Sequence, residues 1–136
     1  MKPDRILTMN DYYDGPRLGV AELRGVPHIY EAEFDHSSEE YGDTYFLSPI
    51  EPSLLALVLE DWEIWLRWEA AHRRKDVTLE SHPALPPERA RHEELKSIIG
   101  ERLKTDPNNR CYVKAKFSHV RSNSEWSGTL VEWKAL

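Results

Sequence analysis

The spacing of apolar side chains changes twice along this chain, and that change constrains the fold more than any other feature. Residues 5–47 show short runs of period two between turn residues, residues 52–104 show helical spacing, and residues 111–135 return to period two. A period of two indicates strands, whereas a period of about 3.6 indicates helices. The chain is therefore predicted to contain four strands, then two helices, then two further strands.

Turn residues divide the first zone into its strands. These strands are predicted at 6–13, 20–23, 28–34 and 44–47. Asp14-Gly15-Pro16 closes the first of them, because glycine and proline supply backbone angles that tight turns need. The polar and acidic segment 35–42 is predicted as a loop.

The helical zone begins with Pro52, a residue that tolerates a helix start because its missing N–H costs nothing there. The first helix is predicted to end near Lys75, and the second to begin at Pro86 or Pro87 and end near Lys104. The last zone predicts a hairpin, with strands at 111–117 and 129–135 and a polar loop at 121–127. A terminal strand of this length needs a partner, so we expect it to pair with the N-terminal strands.

This order of elements predicts an α+β fold. We expect a mostly antiparallel sheet that can curl into a small barrel (order ββββ-αα-ββ), with the two helices packed on one side. The length of 136 residues is typical of one domain, so residues 1–136 are predicted to form a single domain. Hydrophobic residues make up 40% of the chain, which is enough to fill a core.

The charge balance is acidic. Twenty-four Asp and Glu residues against eighteen Lys and Arg residues give a formal net charge of −6. An acidic surface repels phosphate backbones, so nucleic-acid binding is not expected. The N-terminal residues lack the pattern of a signal peptide, and no apolar run approaches the roughly 20 residues that span a bilayer. We therefore expect a cytoplasmic location without membrane contact.

The lone cysteine, Cys111, excludes an intramolecular disulfide. Its side chain alternates with that of Val113 and is predicted to lie in the core.

Several segments resemble a family of short, uncharacterised bacterial proteins. They are Tyr12-Tyr13-Asp14-Gly15-Pro16-Arg17, Gly19-Val20-Ala21, Gly25-Val26-Pro27-His28, Tyr30-Glu31, the tryptophan-rich segment 60–69 and Pro83-Ala84-Leu85-Pro86. The resemblance covers most of the chain, up to about Leu103. It implies a bacterial source and a single domain, and it carries no activity that can be transferred.

The predicted first helix has a broad apolar surface. From Ile64 round to Leu59, apolar side chains cover roughly 220° of its circumference at about 100° per residue. Trp62, Trp65 and Trp68 fan across this surface and are predicted to fill the core.

Three polar residues, Asp61, Glu69 and His72, interrupt that apolar surface. A buried carboxylate is costly unless it meets a cation, a hydrogen-bond donor or water. We therefore expect a structural ion-pair network in which Arg91 or Arg102 of the second helix pairs with Glu69 or Asp61.

The same helices allow two alternative interpretations, in which these polar residues line a functional groove or form a metal site. Glu69 and His72 are three residues apart, a spacing with which helices hold metals, and the second helix offers Glu88 and His92. One Glu-x-x-His pattern arises often by chance, so these four residues are candidate ligands only, and no metal or other cofactor is predicted.

A second group of polar and aromatic residues lies on the first three predicted strands and their turn. It comprises Tyr13, Asp14, Arg17, His28 and Tyr30. If the strands curl, these side chains can converge at the mouth of a barrel, where convergent polar groups over aromatic walls form a ligand or peptide pocket. In the structural alternative, Asp14 caps its own turn, Arg17 pairs with Asp14, and His28 is a half-buried strand residue.

The sequence contains no phosphate-binding loop, dinucleotide fingerprint or serine-nucleophile motif. We therefore expect a non-catalytic binding protein with an acidic surface, comparable in kind to immunity proteins, that docks a protein partner or a small ligand. The alternative is a small metal-assisted enzyme that uses the Glu and His residues of the two helices. The sequence gives no indication of the ligand's identity or of the oligomeric state.

Overall fold

A computed structural model describes residues 2–119 and 128–136 of the chain. The chain divides into two compact units: a sheet unit, Met1–Glu51 with Leu103–Leu136, and a helical unit, Pro52–Arg102. Strands and helices follow one another in the predicted order, so the α+β class is confirmed. The single domain and the packing of the helices on one side of the sheet stay predictions.

The sheet unit contains seven strands within the described residues. They are β1 (Asp4–Arg5), β2 (Asp11–Tyr12), β3 (Pro16–Leu23), β4 (Val26–Asp35), β5 (Glu40–Pro49), β6 (Cys111–His119) and β7 (Thr129–Ala135). They form one curled sheet in the order β1-β7-β6-β5-β4-β3-β2, in which every pairing is antiparallel. The predicted hairpin of the last two strands is confirmed, and its loop, 121–127, lies outside the described residues.

The N-terminal segment joins the two edges of this sheet. Asp4 of β1 pairs with Val131 of β7, whereas Ile6 forms a bridge with Ala21 of β3. Further along, β2 pairs with β3 as well. The same short stretch of chain therefore contacts both edges, which confirms that the terminal strand pairs with the N-terminal residues.

Three strand predictions are wrong in extent. The second strand, predicted at 20–23, already begins at Pro16. Residues 6–13 do not form one strand, because the chain between β1 and β2 is irregular around Thr8, whose hydroxyl accepts a 3.0 Å bond from Val20 N. The predicted acidic loop 35–42 is much shorter, since β5 already begins at Glu40 and pairs with Asp35. The aromatic contact between Phe34 and Tyr41, at 4.9 Å, extends this hairpin despite its polar composition.

Aromatic residues fill the inside of the curled sheet. Tyr45 lies at the centre, with its ring 5.6 Å from that of Phe117, 5.8 Å from that of Trp133 and 6.2 Å from that of Tyr30. The two tyrosine hydroxyls are satisfied by backbone: Tyr30 donates to Thr8 O at 2.8 Å and Tyr45 to Pro16 O at 2.6 Å. Burial therefore leaves no hydroxyl without a partner here.

Cys111 is exposed, so its predicted place in the core is wrong. It is the first residue of β6, where β5 still lies alongside through Leu47. On the other side, β7 reaches only as far as Ala135, opposite Val113, and no residue of β7 pairs with Cys111.

The helical unit consists of α1 (Pro52–Arg73), two short 3-10 turns at Leu79–Ser81 and Pro86–Glu88, and α2 (Arg89–Ile99). α2 ends before the predicted Lys104, because Gly100 adopts a positive φ of 48° and donates to Lys96 O. Within the described residues, neither helix is long and apolar enough to cross a membrane.

Tryptophans occupy the interior of the helical unit to different degrees. Trp62 and Trp68 are buried, as predicted for core residues. Trp65 is only half-buried and stacks on Trp62 with a centroid distance of 5.0 Å. The prediction that these tryptophans fill the core is therefore confirmed for Trp62 and Trp68 and only in part for Trp65.

Candidate functional site

A pocket of about 710 Å³ opens at one end of the sheet unit, between the turn that joins β2 to β3 and the turn that joins β4 to β5. Eight residues from these two places line it: Asp11, Tyr13, Asp14, Arg17, Phe34, Glu39, Glu40 and Tyr41. The set combines four carboxylates, three aromatic rings and one guanidinium.

Arg17 connects the two sides of the pocket. Its Nε donates to Tyr13 O at 2.7 Å and its Nη2 to Asp14 O at 2.8 Å, both in the β2–β3 turn. Its Nη1 reaches the other side, at 3.4 Å from Gly42 O and 3.3 Å from Tyr45 Oη. Because Arg17 is only 8% exposed, these bonds fix the distance between the two turns.

Arg17 also affects the pKa of Tyr45, to whose hydroxyl it donates a hydrogen bond. Burial raises the pKa of Tyr45, while the charge and hydrogen bond of Arg17 act in the opposite direction. Within the described residues, Arg17 forms no ion pair with a carboxylate, and the predicted pair with Asp14 exists only through the Asp14 backbone carbonyl.

Aromatic rings form the apolar part of the pocket. The Tyr41 ring lies 4.9 Å from Phe34 and 6.4 Å from Tyr13, and the Arg17 guanidinium lies over it at 4.5 Å. Tyr13 is 71% exposed, an unusual degree for an aromatic ring. The Tyr41 ring is thus held by its neighbours, whereas the Tyr13 ring is accessible to a ligand.

The carboxylates of the pocket are not paired with other residues in the described part of the chain. The side chains of Asp11, Asp14, Glu39 and Glu40 form no hydrogen bond and no ion pair with any residue in 2–119 and 128–136. Two of them lie at turn positions with positive φ, 53° for Asp14 and 57° for Glu39. Glutamate is uncommon in this left-handed conformation, which Asn, Asp and Gly adopt more readily.

The structure brings together three of the five residues predicted as a ligand site. Tyr13, Asp14 and Arg17 line the pocket, whereas His28 and Tyr30 do not. Tyr30 is fully buried in the aromatic core, and this burial raises its pKa well above the ordinary value. His28 pairs with Ala21 at the far end of β3, and its Nδ1 lies 2.7 Å from Val26 O.

Five lining residues were not among the predicted site residues: Asp11, Phe34, Glu39, Glu40 and Tyr41. A signal for them exists in the sequence, because the acidic segment 35–42 is bordered by Phe34 and contains Tyr41. Only the pairing of β4 with β5 shows that these aromatic residues lie side by side.

The four candidate metal ligands of the helical unit are not brought together. Each has its own partner: Glu69 forms an ion pair with Arg73 at 3.0 Å, His72 stacks on Trp68 at 4.9 Å, Glu88 pairs with Arg67, and His92 lies 2.7 Å from Asp61. In the part of the chain that the structure describes, no group of three or more His, Cys, Asp or Glu side chains is arranged to hold a metal ion.

Ion pairs do link the two helices, although with other partners than expected. Arg91 binds Glu60 at 2.6 Å and contacts Glu94, instead of reaching Glu69 or Asp61. The hydrogen bond from Arg91 lowers the pKa of Glu60, and Arg67 does the same for Glu88. Asp61 and Glu69 thus have structural partners, but not the predicted arginines: Asp61 contacts His92 and Glu69 pairs with Arg73 of its own helix, whereas His72 stacks on Trp68.

Comparisons with known proteins do not indicate a function for this chain. The resemblance to a family of short bacterial proteins stays a prediction. No protein-family model, no curated protein and no solved structure matches the chain.

Proposed function

We propose that the chain is a non-catalytic binding protein whose pocket binds a positively charged group of a protein partner or small ligand. One observation carries the proposal: the four carboxylates that line the pocket have no partner of their own among the described residues.

Charge in the pocket is unbalanced. Of the described residues, the lining contains four carboxylates and one cationic residue, Arg17, whose donors are directed at backbone carbonyls and Tyr45. Like charges held near each other repel, and a bound cation relieves that repulsion.

The aromatic rings support the same class of ligand. A cation above a tyrosine or phenylalanine face is attracted by about 0.5–2 kcal/mol, depending on how far it is desolvated. The Tyr41 ring already holds one guanidinium, that of Arg17, at 4.5 Å. Tyr13 is the ring that is most accessible to a cation from outside.

An organic cation suits the pocket better than a metal ion. The carboxylates are spread over two turns, and no three of them among the described residues form a metal-holding group. Among the residues that the structure describes, the lining includes no Ser, Cys, His or Lys, so the common pairing of a nucleophile with a histidine has no members there.

A titration with arginine ethyl ester, a simple cation, tests this function. Two-dimensional NMR spectra of the protein should show shifts at Tyr13 and Tyr41 that saturate and that weaken with added salt, because exposed charges are screened. Replacing Asp11 by Asn together with Glu40 by Gln should remove most of the effect.

The matched control is Glu93→Gln, which removes one exposed carboxylate from α2, outside the pocket. This variant should bind like the wild type. Equal weakening in the control, or the absence of shifts at the pocket in the wild type, would show that the pocket does not bind cations.

A further inference from the structure

Two hairpins of the sheet are no longer paired with each other near their tips. Pairing between β5 and β6 ends at Thr44 and Lys114. Beyond that pair, β5 stays with β4 as far as Glu40, and β6 stays with β7 as far as His119. The side of residues 116–118 that faces β5 therefore has no partner strand in the part of the chain that the structure describes.

The strand β5 is irregular where this pairing stops. Its register against β4 shifts between Ala32 and Phe34, and such bulges bend a strand and interrupt its pairing. The carbonyl of Gly42, in the shifted stretch, accepts a hydrogen bond from Arg17 at 3.4 Å. A Cβ at Gly42 would meet no atom within 4 Å, so there is open space beside β5 at this residue.

The exposed face of β6 at this edge is cationic. Lys114 and Lys116 are exposed, and Lys134 of β7 lies directly opposite Lys114, where like charges are unfavourable. None of the three lysines forms an ion pair with a described residue, although Glu132 lies opposite Lys116. An anionic group at this face would relieve the repulsion between the lysines.

The other face of β6 is aromatic at the same place. The Phe117 ring lies 5.6 Å from that of Tyr45 and 6.3 Å from that of Trp133, yet Phe117 is only half-buried. Because side chains alternate along a strand, a chain added beside β6 would place alternate residues next to Phe117 and next to Lys116. Apolar side chains suit the first position and acidic side chains the second.

We propose that β6 binds an extended acidic segment of a partner protein, which adds as a strand along residues 116–118. The unpaired backbone supplies the hydrogen bonds, and the lysines select acidic side chains. A second copy of this chain does not fit, because pairing of two β6 strands brings the lysines of both copies together. Lys114, Lys116 and Phe117 do not line the pocket, so this proposal does not depend on the proposed function.

Hydrogen exchange on the free protein is the first test. Successive amides of a strand point to opposite sides, so at least one amide of residues 116–118 points away from β7. That amide should exchange rapidly in the free protein. If every amide of 116–118 is already protected, another part of the chain covers this edge and the proposal is overturned.

The probe is a synthetic peptide of about seven residues, the length of an ordinary strand, that alternates glutamate with valine. Saturating peptide should slow exchange of the accessible amide by about tenfold or more. Calorimetry should show at least about fivefold weaker binding when lysine replaces glutamate, or when the peptide's backbone amides are N-methylated, because the first change reverses the charge and the second removes the edge hydrogen bonds.

Lys114→Gln with Lys116→Gln should weaken binding of the glutamate peptide by about threefold or more. The matched control is Lys96→Gln, which removes an exposed lysine from α2 and should bind like the wild type. Unchanged affinity in the double variant, or equal binding of the lysine peptide, would overturn the acidic ligand. Full affinity of the N-methylated peptide would overturn strand addition, and no binding by any peptide would overturn both, while the titration with arginine ethyl ester tests the pocket separately.

Discussion

The guanidinium of Arg17 lies over the ring of Tyr41, with its carbon 4.5 Å from the ring centroid. Both residues line the pocket, but they come from different strands, β3 and β5. The contact, together with four hydrogen bonds of Arg17, holds the two turns of the pocket to each other. Arg17 is therefore a positioning residue of the candidate site. Its N–H groups donate to protein atoms and are not directed at a ligand.

Replacing Arg17 by Lys keeps the charge and removes this geometry. Lysine cannot direct separate N–H groups at Tyr13 O, Asp14 O and Gly42 O, and it does not stack on Tyr41 in the same way. We expect the free energy of unfolding to fall by roughly 2–4 kcal/mol, because hydrogen bonds from a charged donor in a buried position are lost. Urea denaturation measures this, and an unchanged midpoint would mean that Arg17 does not hold the turns.

Replacing Glu39 by Asn should separate binding from stability. Glu39 has a φ of 57°, which costs most side chains about 1 kcal/mol or more and costs asparagine less. The variant should therefore be as stable as the wild type or slightly more so, while its affinity for arginine ethyl ester falls. Thermal melts and NMR titration provide the two readings, and lower stability together with intact binding would contradict the assignment.

Replacing Gly19 by Ala should be severe. A Cβ at this position would lie 2.3 Å from Thr8 O and 2.8 Å from Tyr30 Oη, inside the curled sheet. The backbone must move, and the bond from the Tyr30 hydroxyl to Thr8 O is disturbed. We expect a loss of about 2–3 kcal/mol or more, measured by urea denaturation.

Gly42→Ala is the matched control for that change. A Cβ at Gly42 has nothing within 4 Å, and its backbone carbonyl still accepts from Arg17. Its stability should stay unchanged or rise by a few tenths of a kcal/mol, because alanine restricts the unfolded chain. Similar losses in both variants would contradict the close approach at Gly19.

The ion pair between Arg5 and Glu22 predicts a specific pH dependence. Hydrogen bonds from Arg5 lower the pKa of Glu22 below its ordinary value of 4.5. The folded state thus binds this proton less tightly than the unfolded state, so the pair stabilises above pH 4.5 and its contribution is lost as the pH falls through the lowered pKa.

Glu22→Gln tests that dependence. The wild type should be more stable near neutral pH, by no more than about 1 kcal/mol because Arg5 is exposed to solvent. The two stability curves should converge below pH 4.5, the ordinary pKa. A difference that persists unchanged in acid would assign the effect to packing and not to the charge.

The regular elements could be read from the sequence because each has a pattern of its own. The alternation from Cys111 and from Thr129 indicated the hairpin β6–β7, and the length of its last strand indicated a partner at the N-terminus. The predicted end of α2 near Lys104 is wrong, because helical spacing does not reveal the turn at Gly100. The first residues of β5 are polar, so their sequence does not indicate a strand. They form one because pairing with β4 outweighs their low strand propensity.

The candidate site was predicted only where it is local in sequence. Tyr13, Asp14 and Arg17 are close neighbours in the chain, so their clustering follows from the turn itself. Glu39, Glu40 and Tyr41 reach them only through the curl and register of the sheet, which a single sequence does not specify. The prediction of Tyr30 as a site residue is explained by the same limit. Alternation along a strand does not tell which face of a curled sheet becomes the inside, and Tyr30 lies inside.

The pairing of Asp4 with Val131 has a consequence for synthesis on the ribosome. β1 emerges from the ribosome before its partner β7, and both helices are made between the two strands. The N-terminal segment can therefore hold β3 early, through Ile6 and Ala21, and must wait for β7. Since pairing between residues so distant in sequence slows folding, we expect the pairing of β1 with β7 to form later than the contact of Ile6 with Ala21.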